Sequence, residues 1–571
     1  MPGLSDLQPS QYGLSMGFIF IFNLIVGSGA LTLPKAFGNS GIFLSLILLI
    51  FLNLMSFITA TFMFEAMSIM NAIKNFRKFT ESLGCSNPIY ETETRNPKQG
   101  DNSGPVPINE SLNETASEDR PLLAQTTPIQ YNNRRILSNF FLGYAFDVQN
   151  DVIYKLDTSE NFDSTAYLER SMLEDAENEQ KEVDNLFAIR KKYEMAEMAS
   201  VFFSKTGQFF FYIAMILYLY GDLAIYDAAV PKSLRDTTCT YRPDNNNQTL
   251  TEDDLCWSSL PSINRMNAYR LYVLLFNFTI GILVFYNVEK TKLLQLLTTI
   301  MRWAAFITMI ALAAIKINDN SKKSIKPNVE YFNFTNVPNF FGVCIYAFMC
   351  HHSLPGIITP MRNKQSYKYV FIGVYLCVLS FYLLLSFTGV FAFGDNLDDF
   401  YTLNFLPDNQ DRDGQGIFLV IIDYYLSLFP VFTISASFPI IGITLRNNLK
   451  SLYYFICKKN PHDSNNKNYF TSFGLPMITL IPPLLVSLIT HDLQLLVGVT
   501  GSYAGVAIQY IIPSCLVYFG RKEAIRVFRK NYQFRHSFTS PFKSKFWVFF
   551  LLLWSNLCVI FVTVNHIINK K

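Results

Sequence analysis

The sequence predicts an all-α polytopic membrane protein of eleven transmembrane helices, a five-plus-five inverted repeat with broken helices 1 and 6. Three observations carry that expectation. The 571 residues are 50% hydrophobic and 15% aromatic but only 16% charged, where a soluble chain holds about a quarter charged residues. Eleven segments approach or exceed the roughly 20 apolar residues that a helix needs to cross a bilayer. Two of them, five apart in order, are interrupted at mid-length. Matching interruptions in the two halves of a membrane chain point to a transporter site built from inverted repeats.

The segments are 14–37, 42–70, 207–231, 268–287, 294–316, 339–360, 369–393, 416–445, 473–490, 494–519 and 546–568. The first contains Gly27, Ser28 and Gly29 at its middle, then Pro34. Backbone in lipid must satisfy its own polar groups, so a span unwinds only where it faces protein or a cavity. Small residues also serve close helix packing without any ligand. The sixth span starts apolar and turns polar at Cys350, His351, His352 and Ser353, ahead of Pro355 and Gly356. Proline removes a backbone donor and clashes with the preceding turn, which opens this helix near Ser353. The pairing of the two breaks favours a binding site over simple packing.

Membrane helices occupy 1–70 and 201–571, and 71–200 is a polar insert, expected to be cytosolic and largely disordered. Within it, Glu118, Leu122 and Leu123 form an acidic dileucine pattern of the kind read by clathrin adaptors for endosomal and lysosomal sorting. With a cytosolic N-terminus, the inside loops hold roughly eighteen basic residues against about nine outside. The C-terminus then lies in the lumen or outside the cell. Residues 1–13 lack the basic region of a signal peptide, so the first span is expected to remain as an anchor. Asn247 and Asn333 begin glycosylation sequons in outside loops, whereas Asn277 begins one within a span. Cys239 and Cys256 share an outside loop and are expected to form a disulfide. The net charge of +3 points to no nucleic-acid partner.

The eighth span carries Thr433, Ser435 and Ser437 between Pro430 and Pro439. Hydroxyls and freed carbonyls make a sodium-sized oxygen site, or the hydroxyls bond back one turn and bend the helix. Ionisable residues within spans are functional candidates. They are Asp222, Asp227, Asp423, Glu65 and Arg302, and a deep carboxylate such as Asp222 can exchange a proton or tie helices together. His351 and His352 are adjacent, about 100° apart on a helix, so no shared metal ion is expected. No nucleophile with a positioned base and no nucleotide loop is present, so no enzyme and no cofactor beyond a sodium ion is expected.

Long stretches of the chain look familiar. FNLIVGSGALTLPKAF at 22–37, LYLYGDLAIY at 217–226, FFGVCIYAFMC at 340–350 with HSLP at 352–355, LFPVFTISASFPIIGITLRNN at 428–448 and HDLQLLVGVTGSYAGVAIQYIIPSCLVY at 491–518 resemble the transmembrane protein 104 family. That family is a branch of the amino acid/auxin permease group, which includes the sodium-coupled neutral amino acid transporters. The resemblance implies a leucine-transporter-like fold. It implies that Val26, Gly27, Ser28 and Gly29 hold the substrate's amino and carboxylate groups. It assigns Asn23, Thr433 and Ser435 to a cation, and matches Phe348, Cys350, His351 and Pro355 to a helix 6 pattern, which places Phe348, Cys350, His351 and Ser353 beside the substrate. The chain departs from relatives at His352, where proline is common, and this leaves the side-chain pocket open.

The expected function is therefore secondary active transport of amino acids by alternating access, coupled to sodium or to protons through Asp222, with sodium slightly favoured. The alternative is an amino-acid sensor that signals through its insert. The expected location is the lysosomal or endosomal membrane rather than the plasma membrane.

Overall fold

Helix termini in this chain are set by short polar caps and by the two interruptions. The computed structural model describes residues 11–82, 181, 183–241, 251–286, 292–322, 328–405, 417–457, 470–528 and 536–569. It divides into two units. The larger comprises Met1–Ile69, Ile189–Tyr532 and Ser537–Lys571; the smaller comprises Met70–Ala188 and Gln533–His536. In the smaller unit the Phe187 ring stacks on His536 with centroids 4.1 Å apart. Glu118, Leu122, Leu123 and Asn247 lie outside the described residues.

The larger unit opens with α1 (Leu14–Ile25) and α2 (Gly29–Asn39), which meet at a 56° bend. α1 stops because Val26 leaves helical geometry, at φ −77° and ψ 81°. A tight turn at Gly41, with φ +85°, a value that suits glycine, leads into α3 (Ile42–Ser82). A short α4 (Met195–Phe202) precedes α5 (Lys205–Thr238), which starts where the Ser204 hydroxyl accepts from the Gly207 amide at 3.3 Å. α6 (Arg265–Thr279) is capped the same way by Asn264, and α7 (Lys292–Lys322) follows.

The sixth predicted span is two pieces, α8 (Val337–Ala347) and α9 (Leu354–Ile358), each with a proline in its first turn. Residues 348–353 between them are unwound, as Pro355 leads one to expect. α10 (Tyr367–Phe393) and the long α11 (Ile417–Cys457) come next; α11 runs through Pro430 and Pro439 without ending. α12 (Leu475–Ile489), α13 (Leu493–Thr500), α14 (Ile512–Phe528) and α15 (Lys545–Asn569) complete the unit. Between α13 and α14 the backbone winds as two π-helical turns, Gly501–Gly505 and Ala507–Ile511.

Among the described residues, nine helices are long and apolar enough to cross a membrane, or ten spans with the bent α1–α2 pair. The sixth segment falls short of that length because its two pieces span only 11 and 5 residues.

Lipid offers no hydrophobic gain for helix association, so close approach of backbones must hold these helices together. A Cβ at Gly342 of α8 would collide with the Gly498 carbonyl of α13, and one at Gly501 with the Gly342 carbonyl. A buried ion pair adds direction. Glu65, fully buried on α3, accepts from Arg521 Nε and Nη2 at 2.7 Å each and from the Ser540 amide at 2.9 Å. At the opposite end of α5, Cys239 and Cys256 are disulfide-bonded, and Arg235 and Arg265 both pair with Asp236.

Candidate functional site at the paired helix breaks

Side chains one turn apart on three helices meet the two unwound segments around a cavity of about 820 Å³. That size suits a small organic solute. α5 contributes Tyr218, Asp222 and Tyr226, and α11 contributes Phe429, Thr433 and Ser437. Each set has the i, i+4, i+8 spacing of one helix face. α7 brings Thr298, Thr299 and Arg302. The break after α1 brings Gly27, Ser28 and Gly29, and the break after α8 brings Met349, His352 and Ser353.

Asp222 is 3% exposed and is held by neutral donors. The Tyr346 hydroxyl donates to its Oδ1, and Tyr218 also hydrogen-bonds it. Ser28 Oγ lies 3.2 Å from the Tyr346 hydroxyl and also meets Tyr226. Ser28 and Tyr346 thus link the helix 1 break to the carboxylate, with Tyr226 on Ser28 and Tyr218 on Asp222.

A cationic side chain, Arg302, lines the cavity. Arg302 Nη1 donates to the backbone carbonyls of Asn23 at 2.7 Å and Val26 at 2.8 Å, and to Asn23 Oδ1 at 3.3 Å. Asn23 Nδ2 donates to Thr299 Oγ1 at 2.7 Å. The last carbonyls of a helix have no intrahelical partner and carry partial negative charge, which a basic side chain satisfies.

Several expected residues stand elsewhere. Ser435 lies outside the cavity lining, because two residues on a helix turn it about 200° away from Thr433. Ser437, at i+4, takes that place. The two hydroxyls also bond back, Thr433 to the Phe429 carbonyl at 2.9 Å and Ser437 to the Thr433 carbonyl at 3.2 Å. Phe348 packs behind the break against Tyr382, with centroids 5.3 Å apart. Cys350 meets the Tyr375 hydroxyl at 3.6 Å. His351 is fully buried with Nε2 2.9 Å from Thr59 Oγ1, so His352 is the histidine that lines the cavity. Val26 contributes its carbonyl to Arg302 while its side chain is fully buried. Asn23, Gly27, Ser28, Gly29, Ser353, Thr433 and Asp222 all line the cavity. Among the described residues no group of three or more His, Cys, Asp or Glu is placed to hold a metal ion.

Sequence reasoning passed over Tyr218, Tyr226, Tyr346 and Thr299, and assigned Arg302 no role. The tyrosines had a readable signal, since Tyr218, Asp222 and Tyr226 recur at four-residue intervals within an apolar span.

Residues 11–86 and 188–563 match the family model described as transmembrane amino acid transporter protein. The chain belongs to this family. It is 39% identical to human transmembrane protein 104 across 98% of this chain and 97% of that protein. It is 36% identical to the Drosophila melanogaster transmembrane protein 104 homolog, covering 97% of both chains, and 30% identical to the Dictyostelium discoideum homolog, covering 98% of both. Within the amino acid transporter family the chain therefore falls in the transmembrane protein 104 group. The family match takes in both helix breaks and every residue of the Asp222 and Arg302 clusters.

Proposed function

We propose that this chain is a secondary active transporter of amino acids that works by alternating access around the α1–α2 and α8–α9 breaks, driven by a sodium or proton gradient. One observation carries the reading. Unwound backbone from both breaks faces one cavity that also holds a carboxylate, a guanidinium and a ring of hydroxyls. Backbone freed from helical bonding at membrane depth is suited to a small zwitterion, because it presents donors at the start of α2 and acceptors at the end of α8. The family match supports the same substrate class. Asp222 is the cavity carboxylate, able to load and release a proton.

The proposed arrangement has eleven spans in an inverted repeat, with the N-terminus cytosolic and the C-terminus on the other side. Location in endosomes or lysosomes follows from Glu118, Leu122 and Leu123; changing both leucines to alanine should move the protein to the cell surface, and an unchanged distribution would remove this part of the proposal. The transport reading itself is tested with purified protein in proteoliposomes. A panel of labelled amino acids is offered under sodium and pH gradients. Saturable uptake of at least one amino acid is expected, and uptake of none of them would overturn the reading.

A further inference from the structure

We propose that Arg302 is a resident cation that occupies the place of a transported sodium ion and binds the carboxylate of the substrate. The inference deepens the transporter reading and rests on it for the substrate half. The oxygens at the C-terminal end of α1 form a natural cation site, since they are the unpartnered negative end of a helix. Three of them, the Asn23 and Val26 carbonyls and Asn23 Oδ1, already accept from Arg302 Nη1 at 2.7, 2.8 and 3.3 Å. The Asn23 amide is oriented for this by its own bond to Thr299 at 2.7 Å. A sodium ion sharing those oxygens would sit against a positive charge. A guanidinium stays protonated at every working pH. Unlike sodium, it cannot load from one side of the membrane and leave on the other, so it contributes charge to the site and nothing to an ion gradient.

The same geometry defines what the site reads. Among the described residues, every hydrogen bond of Arg302 leaves from Nη1. Arg302 lines the cavity, and its Nε and Nη2 donors remain for a ligand. Neighbouring carbonyls are also capped by the protein, since the Tyr382 hydroxyl donates to Ile25 O at 3.2 Å and to Ala347 O at 2.7 Å. Two carbonyls beside the site, those of Ile25 and Ala347, are thus already paired, and the open guanidinium edge favours a carboxylate, which it can meet with two parallel bonds.

Two measurements on the purified full-length protein test this. The first is thermal stability in sodium chloride against choline chloride at equal ionic strength. The wild-type melting temperature should be the same in both. Arg302→Ala, which frees the three oxygens, should gain a sodium-dependent rise of a few degrees, on the order of 2–5 °C. A sodium-dependent rise in the wild type would overturn the assignment, and so would its absence in Arg302→Ala. The second is competition against uptake. An amino acid amide, which lacks the carboxylate charge, should compete about 10- to 100-fold more weakly than its parent acid in the wild type. Arg302→Gln should bring that ratio close to one, and Arg302→Lys should retain part of it. Equal competition by acid and amide in the wild type would refute the carboxylate assignment even if every substituted chain misfolded. If no amino acid is transported at all, the transporter reading falls, while the melting comparison still decides whether Arg302 fills a cation site.

Discussion

Asp222 and Asp227 lie about one and a half turns apart on α5, yet their surroundings assign them different work. Asp222 lines the cavity and takes hydrogen bonds from tyrosine hydroxyls. Asp227 is fully buried outside it, with Asn277 Nδ2 2.8 Å from its Oδ1. Among the described residues, Oδ2 of Asp227 and Oδ1 of Asn277 are both buried without a partner. Asp222→Asn should therefore abolish the dependence of uptake on a pH gradient. Asp227→Asn offers an amide in the same place and should leave that dependence intact. Asp227→Ala should lower stability by about 1–3 kcal/mol, the usual consequence of stranding a buried polar partner. Denaturation curves alongside uptake at several pH values check all three. Uptake by Asp222→Asn that keeps its pH dependence would remove Asp222 from the coupling step.

At the scale of elements, the two glycines of the first break separate a binding role from a packing role. A Cβ at Gly27 would meet nothing nearer than the Ile25 carbonyl at 4.0 Å, so this position opens on the cavity. A Cβ at Gly29 would lie 2.7 Å from Ala347 Cα and 2.9 Å from its amide nitrogen, so Gly29 lets the two breaks touch. Gly27→Leu should fold normally and lose uptake by at least about tenfold. Gly29→Ala should already cost about 1–3 kcal/mol through overpacking and should reduce the folded yield. Size-exclusion profiles beside uptake rates distinguish these outcomes, and full uptake by Gly27→Leu would place the substrate elsewhere. This difference was not readable from the sequence, in which both positions look alike. The breaks themselves were readable, because glycine and proline act locally on backbone geometry. The residues behind them were not. Phe348, Cys350 and His351 sit in an unwound stretch with no helical period to tell a cavity face from a buried one. Ser435 and Ser437 are the converse: α11 stays helical through its prolines, and four-residue spacing from Thr433 selects Ser437. Arg302 was visible as a charge in a span, but its partners lie on α1, some 280 residues away in sequence.

For the whole molecule, the lining of the cavity indicates which way it opens. It reaches back along α1 to Gln11, Tyr12 and Met16, past α9 to Pro360, and along α11 to Ile441, but on α2 it stops at Leu31. Beyond that point Thr32, Leu33, Ala36 and Phe37 are essentially inaccessible. Gln494 of α13 ties this side together. Its Nε2 donates to the Thr32 carbonyl at 2.9 Å and to the Asp399 carbonyl at 3.2 Å, and its Oε1 accepts from Asn339 at 3.4 Å. With the cytosolic N-terminus proposed above, this would be a cytosol-facing state, and the disulfide-bonded loop at the far end of α5 would lie on the opposite side. Glycan on Asn247, lost on glycosidase treatment, is expected for that side. Cys239→Ser should lower stability by about 3 kcal/mol, the chain-entropy value for a loop of this length. Absence of glycan from Asn247 would reverse the topology.

The tie through Gln494 makes the direction of opening testable. An alternating-access carrier exchanges between two closures, and a bond present in only one of them biases the populations by its own free energy. Gln494→Ala removes three hydrogen bonds worth about 0.5–1.5 kcal/mol each. The state open on the other side should then gain about tenfold or more in relative population. Thiol labelling in sealed vesicles of known orientation measures this, with the chain lacking the added cysteine labelled in parallel. Ser437→Cys, deep in the cavity, should react with an impermeant reagent from the side where α1 begins and not from the other. Adding Gln494→Ala should raise its reactivity from the opposite side, and substrate should slow both reactions. Reaction of Ser437→Cys from the opposite side alone, in the chain that retains Gln494, would mean that the closure has been assigned to the wrong end.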